Sequence, residues 1–186
     1  MGHLVIAIDS NPTRLALARH NAQIYGVAEH IEFILADFIS FAKSLSSSTL
    51  DTNSARKIDV IFLSPPWGGP SYLDGPPSPL KSNNGENDDS HGFTPYSLAS
   101  IEPIHGAELF HLARKITKNI AYYLPRNTRM EEVSKLLTVS EAGKKKGRRK
   151  KEQEEMVEVE EAWTGSKLKT ITSYFGGLAS GQEDTF

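Results

Sequence analysis

The residues with the clearest chemical potential form a short turn directly after an apolar run. The run covers residues 58–63 (IDVIFL), and the turn, called here the SPPW turn, consists of Ser64, Pro65, Pro66 and Trp67. Two consecutive prolines cannot donate to a strand ladder, so they end the strand and make the turn rigid. Open α/β sheets bind ligands at the carboxyl ends of their strands, so the turn predicts a ligand site with Trp67 as its stacking surface. The alternative is a loop tryptophan that covers an edge of the core.

Two aspartates follow two further apolar runs. Asp9 comes after residues 4–8 (LVIAI) and before Asn11-Pro12, a pair that is typical of a helix start. A carboxylate in that position can accept hydrogen bonds from both hydroxyls of a ribose, or it can complement the helix dipole. Asp37 stands just before a predicted helix, where it is a candidate N-cap.

The elements that must position these residues alternate between strand and helix. Strands are predicted at residues 4–8, 31–35, 58–63, 120–124, 157–163 and 167–175, the last two as an antiparallel pair. Helices are predicted at residues 12–25, 38–45, 106–118 and 130–137. The continuously apolar runs are typical of strands that are buried on both faces. This order predicts an α/β fold with a doubly wound sheet, in a single domain over residues 1–186.

Two segments carry little that could be buried. Residues 74–97 are rich in Pro, Gly, Ser, Asn and Asp, which predicts a flexible insertion. Residues 141–155 contain KKKGRRKK (Lys144 to Lys151) followed by glutamates, which predicts a solvated charged loop. A nuclear import signal and a patch for RNA phosphates are the alternatives, although the glutamates neutralise part of such a patch.

The composition excludes several classes of protein. The 186 residues include no cysteine, which excludes a disulfide scaffold, a cysteine nucleophile and thiolate metal sites. We expect no metal. Basic and acidic residues number 21 and 23, so the overall charge does not indicate nucleic-acid binding. No apolar run approaches the length of a membrane span, and no secretory signal is visible, so we expect a soluble intracellular protein and no membrane partner.

Six blocks, in order, together resemble the trimethylguanosine synthases, a family of class I S-adenosylmethionine-dependent RNA cap guanosine-N2 methyltransferases. The blocks are VIAID-x-NP, ALARHNAQIYG, IEFILADF, DVIFLSPPWGGPSY, KITKNIAYYLPRN and KLKTITSYFG. The SPPW turn by itself resembles the (Asn/Asp/Ser)-Pro-Pro-aromatic motif of amino-directed methyltransferases. The resemblance implies two successive methyl transfers to N2 of the 7-methylguanosine cap of small nuclear and small nucleolar RNAs, giving a 2,2,7-trimethylguanosine cap. It also implies that proteins that assemble these RNPs are partners. The implied location is the nucleus, in the nucleolus or nuclear bodies, and the cytoplasm is a second implied location.

The resemblance also implies roles for individual residues. The catalytic motif is the SPPW turn, in which Ser64 and Pro65 orient the amine. The residues that bind S-adenosylmethionine are Asp9 at the ribose, Asp37 and Phe38 at the adenine, and Ser64.

The resemblance further implies that the cap is bound by Trp67, Tyr72, Arg126, Asn127 and Lys169. In this role Trp67 stacks on the 7-methylguanine. Because that base is positively charged, an electron-rich indole favours it over plain guanine by about 1–2 kcal/mol. Tyr72, Arg126 and Lys169 match positions that contact the cap phosphates, and Lys169 alternates with Lys167 on one strand face. Taken singly, each of the basic residues is more typical of solvated surface.

One part of the family pattern is absent. The family's catalytic domain begins with a central strand and a glycine-rich turn, and no Gly-x-Gly precedes Asp9. We therefore expect an N-terminally truncated domain in which the strands ending at Asp9 and Leu63 pair directly or expose apolar edges. Such a chain is expected to fold marginally and to bind the cofactor poorly. A catalytically silent cap-binding module is the alternative function. A third possibility is an amino-methyltransferase for DNA, ribosomal RNA or a protein amide, which Trp67 disfavours.

Overall fold

The described strands and helices follow the alternation that the sequence predicts. The structure is a computed structural model that describes residues 4–47, 57–68, 95–138 and 155–181. Its strands are β1 (Val5–Asp9), β2 (Ile31–Leu35), β3 (Ile61–Leu63), β4 (Ile120–Pro125), β5 (Glu158–Thr164) and β6 (Lys167–Phe175). Its helices are α1 (Pro12–Ile24), α2 (Phe38–Ser47), α3 (Gly106–Arg114) and α4 (Met130–Thr138). The predicted α/β class is confirmed.

The chain divides into two compact units, Met1–Ala55 (the N-terminal unit) and Arg56–Phe186 (the C-terminal unit). In the N-terminal unit β1 and β2 pair in parallel, with Asp9 opposite Leu35. Between them runs α1, which begins at Pro12 because the side chain of the preceding Asn11 caps it, accepting a hydrogen bond from the Arg14 amide at 3.0 Å. The helix stops where Gly26 takes a φ of 68°, a value that glycine adopts without strain.

The C-terminal unit contains a mixed sheet in the order β3-β4-β6-β5. Strands β3 and β4 are parallel, whereas β6 is antiparallel to both β4 and β5. One face of the sheet is covered by α3, because the fully buried Phe110 ring lies 4.5 Å from Phe175 and 6.3 Å from Tyr122 between ring centroids. The core of this unit lies between that face and helices α3 and α4.

The prediction that the apolar runs at residues 4–8 and 58–63 are buried on both faces is wrong for the described structure. No residue of β1 is fully buried, and in β3, which is only three residues long, Phe62 is 62% exposed. Among the described residues, β1 pairs only with β2, and β3 pairs only with β4. The strands β1 and β3 therefore belong to different sheets. By contrast β4 lies between two strands, and five of its six residues are buried.

Two helix predictions also need correction. The helix predicted over residues 106–118 ends at Arg114, because Thr117 and Asn119 donate side-chain hydrogen bonds to the Asp59 carbonyl before β3 instead of continuing the helix. The helix predicted over residues 12–25 ends one residue earlier, at Ile24, and Tyr25, its C-cap, is 80% exposed. None of the described helices is long and apolar enough to cross a membrane.

Candidate functional site

Asp9 lies at the carboxyl end of β1 with its side chain about one-third exposed. Its Oδ1 accepts a hydrogen bond from the Asn11 amide at 2.7 Å, and its Oδ2 lies 3.6 Å from the Arg14 guanidinium. The side chain that caps α1 is that of Asn11, so the carboxylate of Asp9 is fixed next to the helix start without being its N-cap. Because a carboxylate offers about four lone-pair positions, Asp9 keeps the capacity to accept hydroxyl donors.

Asp37 has the contacts of an N-cap, which was the alternative interpretation of this residue. Its Oδ2 accepts hydrogen bonds from the Ser40 amide at 2.9 Å and from the Ser40 hydroxyl at 2.8 Å, at the start of α2. The hydrogen bond from the Ser40 amide, followed by that from the Ser40 hydroxyl, lowers the pKa of Asp37. The side chain is exposed, and Phe38, the first residue of α2, is half-buried.

The SPPW turn leaves the carboxyl end of β3, as the sequence predicts. Ser64 and Pro66 are exposed, whereas Pro65 and Trp67 are half-buried. The Trp67 indole packs against the Tyr123 ring of β4, with centroids 5.1 Å apart and ring planes tilted by 36°. The next residue, Gly68, has a φ of 87°, a conformation that only glycine adopts readily. The tryptophan therefore rests on the neighbouring strand and keeps part of its surface open to a ligand.

The second cluster of predicted residues follows β4. Arg126 is half-buried, and its Nη1 donates a hydrogen bond of 3.1 Å to the Leu168 carbonyl in β6. Asn127 is buried, at 5% exposure, and its carbonyl accepts a 2.7 Å hydrogen bond from the Tyr96 amide. The turn that carries Arg126 and Asn127 is thus held on two sides, by β6 and by the segment around Tyr96.

Lys169 lies in β6 where the pairing with β5 is irregular. Trp163 pairs with Leu168 and Ala162 pairs with Thr170, so Lys169 is the extra residue of a β-bulge. The predicted alternation of Lys169 with Lys167 on one face is therefore interrupted, because a bulge shifts the two-residue period of a strand. Lys169 is exposed and directly follows Leu168, whose carbonyl Arg126 contacts.

In the C-terminal unit the fold brings most of the predicted cap-binding residues to one edge of the sheet. Because β3 and β4 are parallel, the SPPW turn and Arg126 leave the same edge, and Lys169 enters β6 there because Thr170 pairs with Pro125. In the N-terminal unit, Asp9 and Asp37 lie at the edge of the two-stranded sheet where the carboxyl ends of β1 and β2 meet. Tyr72, most of the 74–97 insertion and the whole of KKKGRRKK lie outside the described residues.

Three residues that the sequence reasoning missed support this edge. Tyr123 carries Trp67, Tyr96 bonds to the turn after β4, and Glu132 of α4 accepts hydrogen bonds from the Leu98 amide at 2.7 Å and the Ser97 hydroxyl at 3.1 Å. Burial raises the pKa of Tyr96 to about 12. The alternation of inward and outward residues in β4 could have indicated that Tyr123 lies on the outer face. The contacts of Tyr96 and Glu132 join residues more than 30 positions apart, so no local sequence pattern indicates them.

The described residues contain no cluster of three or more His, Asp or Glu side chains that could hold a metal ion. What they provide is two carboxylates, a rigid turn with a hydroxyl and an indole, and two cations. All of them except Lys169 lie at or just after the carboxyl end of a strand, the place where open α/β sheets bind ligands, and Lys169 lies near the start of the antiparallel β6. Together, the α/β elements and this placement are consistent with a methyltransferase fold.

Comparison with known proteins gives the family. The sequence profile of the RNA cap guanine-N2 methyltransferases matches residues 1–85 and 89–178, which is most of the chain and part of both units. The chain therefore belongs to the RNA cap guanine-N2 methyltransferase family.

Two curated relatives bear the name trimethylguanosine synthase. The relative from Schizosaccharomyces pombe is 35% identical over 131 residues, which cover 70% of this chain and 45% of the relative. The relative from Saccharomyces cerevisiae is 29% identical over 132 residues, which cover 70% of this chain and 34% of the relative. The chain thus matches less than half the length of either relative.

Proposed function

We propose that this chain transfers methyl groups from S-adenosylmethionine to the exocyclic N2 of the 7-methylguanosine cap of small nuclear and small nucleolar RNAs, forming 2,2,7-trimethylguanosine. Family membership and the two relatives support the reaction class. The single observation that carries the proposal is the SPPW turn at the end of β3, with Trp67 seated on Tyr123.

In this proposal the turn acts by positioning. The Ser64 hydroxyl and the Pro65 carbonyl accept hydrogen bonds from the two hydrogens of the guanine amine and so aim its nitrogen at the methyl donor. In each transfer N2 would form a bond to the methyl carbon while the carbon–sulfur bond of the donor breaks, with its electron pair left on sulfur, and N2 would lose one proton to solvent. Because a serine hydroxyl is a poor general base, the rate enhancement rests on orientation and exclusion of water, as in other reactions between fixed groups.

The cap is held by stacking and by charge. The half-buried Trp67 stacks on the 7-methylguanine, whose delocalised positive charge it attracts. Arg126, Lys169 and Tyr72 are assigned to the cap phosphates, and Asn127 is assigned to the cap without a more specific contact. Arg126 uses Nη1 for the Leu168 carbonyl, but a guanidinium carries five N–H donors, so it can also reach a phosphate.

The residues of the N-terminal unit fit the methyl donor. When bound, S-adenosylmethionine supplies an electrophilic methyl group. Asp9 can accept hydrogen bonds from the ribose hydroxyls, since Asn11 occupies one carboxylate oxygen and Arg14 approaches the other only to 3.6 Å. Asp37 and Phe38 are assigned to the adenine, and Ser64 to the methyl-bearing end.

The same proposal includes a class I methyltransferase sheet whose first central strand is not among the described strands. It is supported by β1 and β3, each of which has one strand partner among the described residues. We also propose a nuclear location, for which the sequence KKKGRRKK is the support, and association with RNP assembly proteins.

Methyl transfer to short capped RNAs tests the proposal. We expect labelled methyl groups from S-adenosylmethionine to enter 7-methylguanosine-capped RNA and not guanosine-capped RNA, with the product identified by mass. Trp67→Ala should abolish binding of 7-methylguanosine triphosphate and leave S-adenosylmethionine binding intact. The matched control is Trp163→Ala, which removes the other tryptophan at a 55% exposed position in β5. Cap binding that survives Trp67→Ala would show that the stacking assignment is wrong.

One observation favours a second candidate, a cap-binding module without methyl transfer. The residues assigned to the cap lie in the unit with the large buried core. The Asp37 carboxylate, which is assigned to the adenine of the methyl donor, already accepts hydrogen bonds as the N-cap of α2. A thermal shift experiment separates the two candidates. A higher unfolding midpoint with 7-methylguanosine triphosphate, none with S-adenosylmethionine and no methylated product would favour the binding module. A sharp transition whose midpoint S-adenosylmethionine raises favours the enzyme and contradicts the expected marginal folding.

A further inference from the structure

Tyr123 lies at the centre of a row of three aromatic side chains in the C-terminal unit. Its ring centroid is 5.1 Å from that of Trp67 and 5.9 Å from that of Phe62, and both neighbours are tilted from it by 36°. Phe62 and Trp67 come from β3 and the turn after it, whereas Tyr123 comes from β4. The row therefore joins the SPPW turn to a strand that is not continuous with it in sequence.

The sheet holds Tyr123 in a fixed place. β4 is hydrogen-bonded to β3 on one side and to β6 on the other, with Tyr123 opposite Thr172. The residues before and after Tyr123 face the core: Tyr122 and Leu124 are fully buried, and the Tyr122 hydroxyl donates to the Gly106 carbonyl at 3.1 Å. Tyr123, half-buried, stands on the opposite face of the sheet from α3.

We propose that Tyr123 is a positioning residue for base recognition. It supports the Trp67 indole from the side of the sheet, so that the indole has a single orientation and presents its other side to the 7-methylated base. This inference rests on the proposed function and deepens it, because it assigns part of the selectivity for a cationic base to a residue that does not touch the base.

The physical reason is preorganisation. The attraction between a cation and an indole requires the charge to lie over the ring face, so an indole that samples several orientations loses both affinity and selectivity. An aromatic neighbour restricts the indole through a ring–ring contact, and it removes the entropic cost of fixing the side chain when ligand binds. The ring provides this support, so the Tyr123 hydroxyl is dispensable.

The experiment uses Trp67 as its own reporter. The sequence contains two tryptophans, so a Trp163→Phe parent leaves Trp67 as the only indole. In that parent, Tyr123→Leu removes the supporting ring and Tyr123→Phe keeps it. The matched control is Tyr174→Leu, since Tyr174 is also half-buried and, through its pairing with Ala121, lies on the same sheet face as Tyr123. Each variant is titrated with 7-methylguanosine triphosphate and with GTP. The quenching of Trp67 fluorescence by acrylamide is measured in the absence of ligand, and the unfolding midpoint is measured as well.

We expect Tyr123→Leu to lower the preference for 7-methylguanosine triphosphate over GTP about three- to tenfold, and to make the free Trp67 easier to quench. Tyr123→Phe should keep the preference within about twofold. Tyr174→Leu should lower the unfolding midpoint without changing either readout. If Tyr123→Leu lowers the midpoint but leaves preference and quenching unchanged, the residue is merely structural and the inference is overturned. If the parent itself binds no 7-methylguanosine triphosphate, the proposed function fails and the inference falls with it.

Discussion

The N-terminal and C-terminal units have the same alternation of strand and helix, yet they bury very different amounts of apolar surface. In the described part of the N-terminal unit the buried apolar side chains are those of Ala22 and Ala42. In the C-terminal unit large side chains are fully buried, among them Phe110, Tyr122 and Leu124. An apolar run therefore predicts a strand, but the neighbours of that strand determine how deeply it is buried.

The difference separates two sources of stability. The C-terminal unit gains free energy from apolar burial, at roughly 25 cal/mol for each Å² removed from water. The described part of the N-terminal unit buries few apolar side chains, and we expect it to depend more on local hydrogen bonds, such as those of Asn11 and Asp37 at the starts of α1 and α2. The residues assigned to the cap mostly lie in the first kind of environment, and the carboxylates assigned to the methyl donor lie in the second.

Truncation of one leucine in each unit gives the largest expected effect. Leu124→Ala in β4 should lower the free energy of unfolding by about 2–5 kcal/mol, because Leu124 is fully buried and its loss leaves a cavity. Leu35→Ala in β2 should lower it by less than about 1 kcal/mol, because Leu35 is 58% exposed. Urea unfolding measures both values. Equal costs would show that the N-terminal unit buries Leu35 in solution and would remove the contrast.

Hydrogen exchange should resolve the two units directly. Amides of β4 lie between two strands beside a buried core, so they should be protected far longer than amides of β1, which has one strand partner among the described residues. We expect protection factors that differ by at least about tenfold, read peptide by peptide by mass spectrometry. Equal protection of both strands would mean that the two units unfold as one.

Asp37 tests the dependence of the N-terminal unit on local capping. Asp37→Ala removes the acceptor for the Ser40 amide and should destabilise α2 by about 1 kcal/mol, whereas Asp37→Asn retains a good N-cap. Helicity and urea unfolding at neutral pH measure this. Hydrogen bonding from Ser40 lowers the pKa of Asp37, so its stabilisation is present above its usual pKa and is lost as the pH falls. An alanine variant as stable as the wild type would mean that the cap contributes nothing.

Tyr96 belongs to the C-terminal unit, and the effect expected from its titration is confined to alkaline pH. Burial raises its pKa from 10.0 to about 12, so the unfolded chain loses this proton at a lower pH than the folded one. The stabilisation is complete below pH 10 and is lost as the pH rises towards 12. Tyr96→Phe should therefore make the free energy of unfolding less steep over that range than in wild type. Parallel pH profiles would indicate that Tyr96 is accessible in solution.

Much of the fold and part of the site could be predicted from the sequence. The capping pair Asn11-Pro12 and the stop at Gly26 fixed α1 within a residue or two, because such signals act over a single turn. The prolines of the SPPW turn correctly ended β3. The support of Trp67 by Tyr123, and that of the Arg126 turn by Tyr96, could not be predicted, because each depends on residues about 30 or more apart.

The sequence by itself determined the order of strands and helices, the bounds of α1 to within a residue or two, and the family. Backbone dihedral preferences, capping and hydrophobic period are local properties, so they can be recognised in the sequence without knowledge of the tertiary structure. Only the tertiary structure decided which apolar runs are buried, that Lys169 sits in a bulge and that Trp67 rests on Tyr123. Burial, strand register and ring contacts are set by neighbours from elsewhere in the chain, and no local pattern specifies those neighbours.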